Sequence, residues 1–433
     1  MQLFAYLLLV FSCRSIVREC CDEDIGITEM ILSNGMRVCF KRTNFLENTV
    51  WINGYAYGGL SQVPESEYGS CSLANEIAIQ VGAFGHTPSQ LKEMLVDRMP
   101  EIAAEIKPYT RTLVGMCIAT ATRIEALFQA LCLDDLEKVD LRKACEYFNQ
   151  CFKDPSTFTF VIVGNLDPVT ARNLIVRYLG GIPSSSEPIM KYNRDDLKGV
   201  AYVFPTTSTR EVVCGPMVEE RSHVHLSFPF ELGDEGKDYE LIYLIERLLE
   251  RKLMQVLRFE RGEIYKVSVL VFLSCNKPGI VGRARGDMSI GFYCHPDLAE
   301  TLVDASLDEI ERFQAEGPSD ADISAVLESY RQLYETGLQE NNWWLERIVE
   351  AYKSSYSGEV GLGVASSIKI EEDLRSEAIH TFTPAVARSA LQRLLPFPCK
   401  SLFTAVITDP KVLAGMVVVA SFLWRYFRTS SRV

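Results

Sequence analysis

The sequence predicts an α+β fold of two homologous modules, each a mixed or antiparallel sheet with helices packed on one face. Three observations carry that reading. A unit of helix, proline, β-branched strand and Asx-Pro turn occurs twice, about 245 residues apart. Two alternating strands, each followed by an acidic loop and a long helix, precede those units. The 433 residues are 47% hydrophobic and 23% charged, which is enough apolar chain for two cored domains of roughly 200 residues each.

The elements follow in order along the chain. Residues 1–25 form an apolar N-terminal segment. Met1 to Phe11 has the character of a signal h-region, but Arg14 and Arg18 follow it rather than precede it, so a cleaved signal is not the expectation. The first module spans 26–183 and opens its alternating strand at Val50 to Gly59. It closes with the helical run Leu141 to Phe152, then Pro155, the strand Thr157 to Gly164 and the turn Asn165 to Pro168. In that turn Asp167 is placed as N-cap and Pro168 as first residue of another helix. Residues 184–210 read as a linker, because Pro183, Ser184 to Ser186, Pro188 and Pro205 cluster there without apolar periodicity.

The second module, 211–410, repeats the pattern with the strand His223 to Leu232, the helical run Pro384 to Leu395 and the strand Ser401 to Thr408. The two front strands are only about 173 residues apart, so the first module is shortened by about 70 residues. Leu113 to Leu131 parallels Met288 to Leu307. Beyond that point the second module continues through the helical region Gly317 to Tyr352, whereas the first passes to Asp134, Asp135 and Leu136. Loss of that helical hairpin would uncover part of a sheet face, at about 25 cal/mol per Å2 of apolar surface. The tail, 411–433, is apolar from Val412 to Trp424 and then basic. It falls short of the roughly 17 residues of a membrane span, so a docked terminal helix is expected, with a tail anchor and membrane contact as the alternative.

A formal charge of −13 excludes a nucleic-acid partner, since phosphate binding needs a basic field. It suits solubility or a basic peptide ligand. The thirteen cysteines, Cys13 to Cys399, form no CxxC pair, so neither a disulfide scaffold nor a zinc ribbon is indicated. With no Asn-x-Ser/Thr acceptor in the chain, an intracellular reducing compartment is the favoured location.

Several runs together resemble the repeated module of the pitrilysin/insulinase peptidases: Ile31 to Thr43, Ala56 to Gly59, the run from Val161 through Pro168, and Tyr178 to Pro183. The runs Gly58 to Ser72, Asn193 to Gly199 and Gln392 to Lys400 extend the match, which covers roughly residues 26 to 409. The resemblance implies four such modules in two halves that close around a peptide, with zinc held by an inverted His-x-x-Glu-His helix in the first half. At the matching positions this chain has Ser72, Asn75 and Glu76. A hydroxyl and an amide cannot replace two imidazoles, so no zinc ligand is expected here. The chain is then expected to be a non-catalytic half, inactive alone, whose zinc comes from an N-terminal half in the same gene product or a separate chain.

The resemblance also implies two substrate-binding residues. The run Leu257 to Tyr265 places Arg258 and Tyr265 seven apart. An amphipathic helix with Leu241, Leu244, Leu248, Leu249, Leu253 and Leu257 on or near one face delivers Arg258, Gly262 ends it, and a following strand presents Tyr265. The resemblance assigns the Arg to the peptide backbone and the Tyr hydroxyl to a developing oxyanion. The plainer alternative is a surface cluster of Arg258, Glu260, Arg261 and Glu263 beside an edge-strand Tyr. A scaffold subunit without peptide chemistry is the alternative function. His223 and His225 share a strand face without a third ligand and read as solvent-face residues. His86, His295 and His380 are isolated, and Trp343 and Trp344 read as packing residues.

Overall fold

The computed structural model describes residues 15–47, 49–75, 101–107, 109–118, 141–184, 206–214, 221–233, 235–273, 285–354 and 363–409. In chain order the main elements are β1 (Ile16–Asp22), β2 (Ile27–Leu32), β3 (Arg37–Arg42), β4 (Thr49–Tyr57), α1 (Glu65–Cys71), β5 (Glu101–Ile106), β6 (Thr110–Ile118), α2 (Leu141–Phe152), β7 (Thr159–Gly164) and α3 (Pro168–Leu174). Next come β8 (Thr209–Cys214), β9 (Ser222–Glu231), α4 (Glu235–Leu253), β10 (Val267–Leu273), β11 (Arg285–Cys294) and α5 (Ala299–Glu316). The last are α6 (Asp320–Gly337), α7 (Asn341–Ser354), α8 (Val364–Thr381), α9 (Pro384–Leu394) and β12 (Thr404–Asp409). Most of the expected linker (185–205), the tail beyond Asp409, the N-terminal apolar run, His86 and the expected site of shortening (119–140) lie outside the described residues.

The two sheets share one topology. The first runs β1-β2-β3-β7-β4-β6-β5 and the second β10-β11-β9-β12-β8. In the first, β3 and β7 are parallel, and β7-β4, β4-β6 and β6-β5 are antiparallel. In the second, β8 and β12 are parallel, and β12-β9, β9-β11 and β11-β10 are antiparallel. Five strands of each sheet thus correspond one to one, and the first sheet adds the β1-β2 hairpin. The duplicated helix entry is also present. The Thr170 N–H donates to the Asp167 carboxylate at 2.9 Å with Pro168 in the first turn of α3, which satisfies a terminal donor and sets the helix start.

The chain divides into two compact units, Met1–Gly199 with Thr336–Ile368, and Val200–Glu335 with Lys369–Val433. This differs from the expected modules, which kept Gly317 to Tyr352 together. The physical reason is the apolar face of α7. In the first unit Met30, Val38, Phe40, Val50, Ile52, Phe160 and Ile162 pack with Ala171, Ile175 and Leu179 on one sheet face. On the opposite face Cys39, Tyr55, Val161 and Val163 pack with Trp344, Leu345, Ile348, Val349 and Tyr352 of α7. Alternation along β7 places its apolar residues on both faces, so both faces need cover. Helices therefore lie on both sides of this sheet, one of them encoded inside the second module's sequence. Glu29 on β2 fixes the same segment, taking the Tyr352 hydroxyl and, at 3.1 Å, the Val364 N–H at the start of α8.

In the second unit the core lies on one sheet face. Val224, Leu226, Phe228, Val267, Val269, Met288, Ile290, Ala405 and Ile407 meet the buried faces of α4, α5 and α9. The alternate positions carry His223, His225, Ser227, Leu270, Phe272, Asp287, Ser289 and Tyr293, and Leu270, Phe272 and Tyr293 are exposed. Among the described residues of this unit the helices cover one sheet face, as the sequence pattern predicts.

Candidate substrate-binding site

The site begins with α4. Its residues Leu244, Leu248, Leu249 and Leu253, together with Leu257, are fully buried, while Leu241 is partly buried. At Met254 the helix widens into a π turn that runs to Glu260, a local feature often found at functional positions. Gly262 closes it with φ at +70°, and the Gly262 N–H donates to the Arg258 carbonyl at 3.0 Å. That left-handed C-terminal geometry favours glycine. Leu257 before the turn and Ile264 and Val267 after it are buried anchors. Between them Arg258, Phe259 and Tyr265 are held outward on a short, pinned segment. Tyr265 precedes β10 rather than lying in it, since the strand begins at Val267.

The structure brings Arg258 and Tyr265 together. The Arg258 guanidinium lies 4.9 Å from the centre of the Tyr265 ring and 5.2 Å from that of Phe259. Both distances fall within cation–π range. Tyr265 is 80% exposed and Phe259 72% exposed. The ion pair expected of a plain surface cluster forms elsewhere: Arg261 meets Glu263 at 3.5 Å, and Glu260 accepts from the Gln255 amide at 3.1 Å. Among the described residues the Arg258 guanidinium has no carboxylate partner and the Tyr265 hydroxyl no hydrogen-bond partner. The arrangement offers a planar cationic fork and a phenolic O–H donor on one exposed surface.

Phe259 was not singled out by the sequence. A signal was present, because a large aromatic between Arg258 and Glu260 sits off the leucine stripe of α4.

The positions that match the zinc helix do not fit a metal. The Asn75 side-chain amide donates to the Ile106 carbonyl at 3.3 Å and its oxygen accepts from the Ile106 N–H at 2.9 Å. Asn75 thereby mimics a strand partner for β5, and Ser72 caps the end of α1. Glu76 lies outside the described residues. Among the described residues no group of three or more His, Cys, Asp or Glu could hold a metal ion, and no helix is long and apolar enough to cross a membrane.

The remaining candidates have local roles. His223 and His225 stand 6.5 Å apart ring to ring, with His223 4.6 Å from the Tyr293 ring and His225 Nε2 3.4 Å from the Ser289 hydroxyl. Both are half-buried, and burial holds their pKa values below the usual imidazole range. His295 caps a turn by accepting from the Asp297 N–H, and His380 Nδ1 lies 2.7 Å from the Ser376 carbonyl.

Comparison with known proteins then decides the family. Residues 138–330, which include Arg258 and Tyr265, match the family described as Peptidase M16 inactive domain. Residues 138–330 belong to the peptidase M16 family. The chain is 42% identical over 464 residues to a zinc protease PQQL-like protein of Arabidopsis thaliana, covering 94% of this chain and 48% of the relative. That aligned length exceeds the 433 residues of this chain, so the relative carries residues with no counterpart here. The fold resembles the periplasmic protease PqqL of Escherichia coli at TM-score 0.64 and 16% identity, covering 92% of this chain and 47% of that one. It also resembles a peptidase M16 inactive domain from Pseudomonas fluorescens at TM-score 0.65 and 12% identity, covering 90% of this chain and 100% of that one. This chain thus spans about half the length of the PQQL-like and PqqL proteins it matches.

Proposed function

We propose that this chain is the non-catalytic half of an M16 zinc metalloendopeptidase and holds an extended peptide for a zinc site supplied by an N-terminal half. The observation that carries the reading is the half-buried Arg258 guanidinium 4.9 Å from the exposed Tyr265 ring, on a segment pinned by buried neighbours on both sides. The guanidinium grips peptide carbonyl oxygens through its fork of N–H donors. The Tyr265 hydroxyl donates to the oxygen of the attacked carbonyl, where negative charge grows as the tetrahedral intermediate forms. The donor set at Ser72 and Asn75 supports a division of labour in which this chain supplies contacts and no metal ligand.

Steady-state kinetics of the assembled enzyme with a quenched peptide test this. Tyr265→Phe should lower kcat by about 10^2 to 10^3 with little effect on KM, because the bond is strongest in the transition state. Arg258→Ala should act chiefly through KM, since the clamp holds ground and transition states alike, and neither change should alter zinc content. Unchanged kinetics in both variants would leave a scaffold role. Stoichiometric zinc and peptide cleavage by the isolated chain would overturn the reading outright.

A further inference from the structure

We infer that Phe259 is a specificity-determining contact, a shelf for a large apolar side chain of the peptide beside the backbone that Arg258 grips. The inference rests on the peptide-holding function proposed above and adds the substrate class. A phenylalanine left 72% exposed between Arg258 and Glu260 leaves its apolar surface in water. No helical packing explains it, because the buried stripe runs through Leu249 and Leu253 of α4 and Leu257 of the π turn and Phe259 stands outside it.

The position is also fixed rather than incidental. Leu257 is fully buried two residues earlier, and the Gly262 N–H closes the turn on the Arg258 carbonyl. The Phe259 and Tyr265 rings both lie within 5.2 Å of one guanidinium. An extended peptide whose carbonyls meet Arg258 therefore passes two exposed aromatic rings. Tyr265 carries a hydroxyl for a polar role; Phe259 offers only hydrocarbon, and its natural complement is leucine, methionine or phenylalanine rather than a charged or amide side chain.

The experiment uses the full chain and fluorescence anisotropy with short, labelled, alanine-based peptides. One series carries a single phenylalanine or leucine moved along the peptide, and the other carries asparagine at the same positions. Wild type should favour the apolar residue at one position by about tenfold, the size of one well-buried apolar contact. Phe259→Ser should abolish that preference and leave the asparagine series unchanged. Phe259→Leu, which keeps apolar surface and removes the ring from the guanidinium, should retain most of it. Arg258→Ala should weaken both series alike. If Phe259→Ser weakened both series equally, Phe259 would only position Arg258 and the inference would fail while the peptide-holding function stood. If Phe259→Ser changed neither series, the inference would fail as well. Absence of binding by every peptide would overturn the proposed function and the inference with it.

Discussion

Replacing Trp344 with alanine tests whether α7 is a structural part of the first unit. Trp344 is 8% exposed, its indole N–H donates to the Leu338 carbonyl at 3.0 Å, and Lys41 Nζ sits 3.9 Å from the centre of its ring system. Truncating a buried tryptophan costs about 3–5 kcal/mol through lost transfer energy and the cavity left behind. Against a total of about 5–15 kcal/mol for a domain, that is enough to unfold a marginal unit. The Lys41 ammonium adds to the effect. It is buried, and burial lowers its pKa, so removing the ring leaves a desolvated charge whose N–H acceptor, among the described residues, is the Ile25 carbonyl. Amide hydrogen exchange read by mass spectrometry locates the damage. Protection should fall in β3, β4 and β7, whose Cys39, Tyr55, Val161 and Val163 meet α7, and remain in β9 and β11. A double-mutant cycle with Lys41→Met should give a coupling of about 1–2 kcal/mol. If exchange rose only in β9 and β11, or if β3 and β7 stayed protected, α7 would not belong to the first unit and the reasoning would be refuted.

Three further outcomes follow from single contacts. Glu29→Ala removes the acceptor for the Tyr352 hydroxyl and the Val364 N–H and should cost about 2–4 kcal/mol in urea unfolding, whereas a surface carboxylate would give a change near zero. Asp238→Asn should cost about 3–5 kcal/mol, because the buried carboxylate receives both Arg393 donors at 2.6 Å and the Gly233 N–H at 2.7 Å; a loss below 1 kcal/mol would show that the pair is solvated. Burial pushes the Glu246 carboxyl up to about 7, so the folded state holds its proton more tightly than the unfolded state. The stabilising contribution of that proton is complete below the unfolded value near 4.3 and is lost as pH rises toward 7. Glu246→Gln should therefore stabilise the protein more at pH 8 than at pH 4.5, by up to about 3 kcal/mol, and a pH-independent difference would contradict the burial argument.

The parts of this fold that were legible in the sequence are those set by local rules. Asp167 and Pro168 marked the start of α3 because capping needs only neighbouring atoms, and the leucine stripe of α4 was visible because helical periodicity is local. The two sheets could be paired from repeated strand and turn signals. The placement of α7 was not legible, since its apolar face, in isolation, fits either sheet. The first sheet takes it because β7 has apolar side chains on both faces, a requirement that arises only once the strands are ordered. The candidate site divides in the same way. Spacing identified Arg258 and Tyr265, but their approach to 4.9 Å depends on the π turn and on Gly262 closing it. At the zinc-like positions, the sequence showed that the imidazoles were missing, yet not what Asn75 does instead. Its amide satisfies both backbone groups of Ile106 on β5. Restoring a histidine there would remove two hydrogen bonds from the strand edge before any metal could be gained. Asn75 is thus tied into the packing of the first unit by its backbone contacts as well as lacking an imidazole.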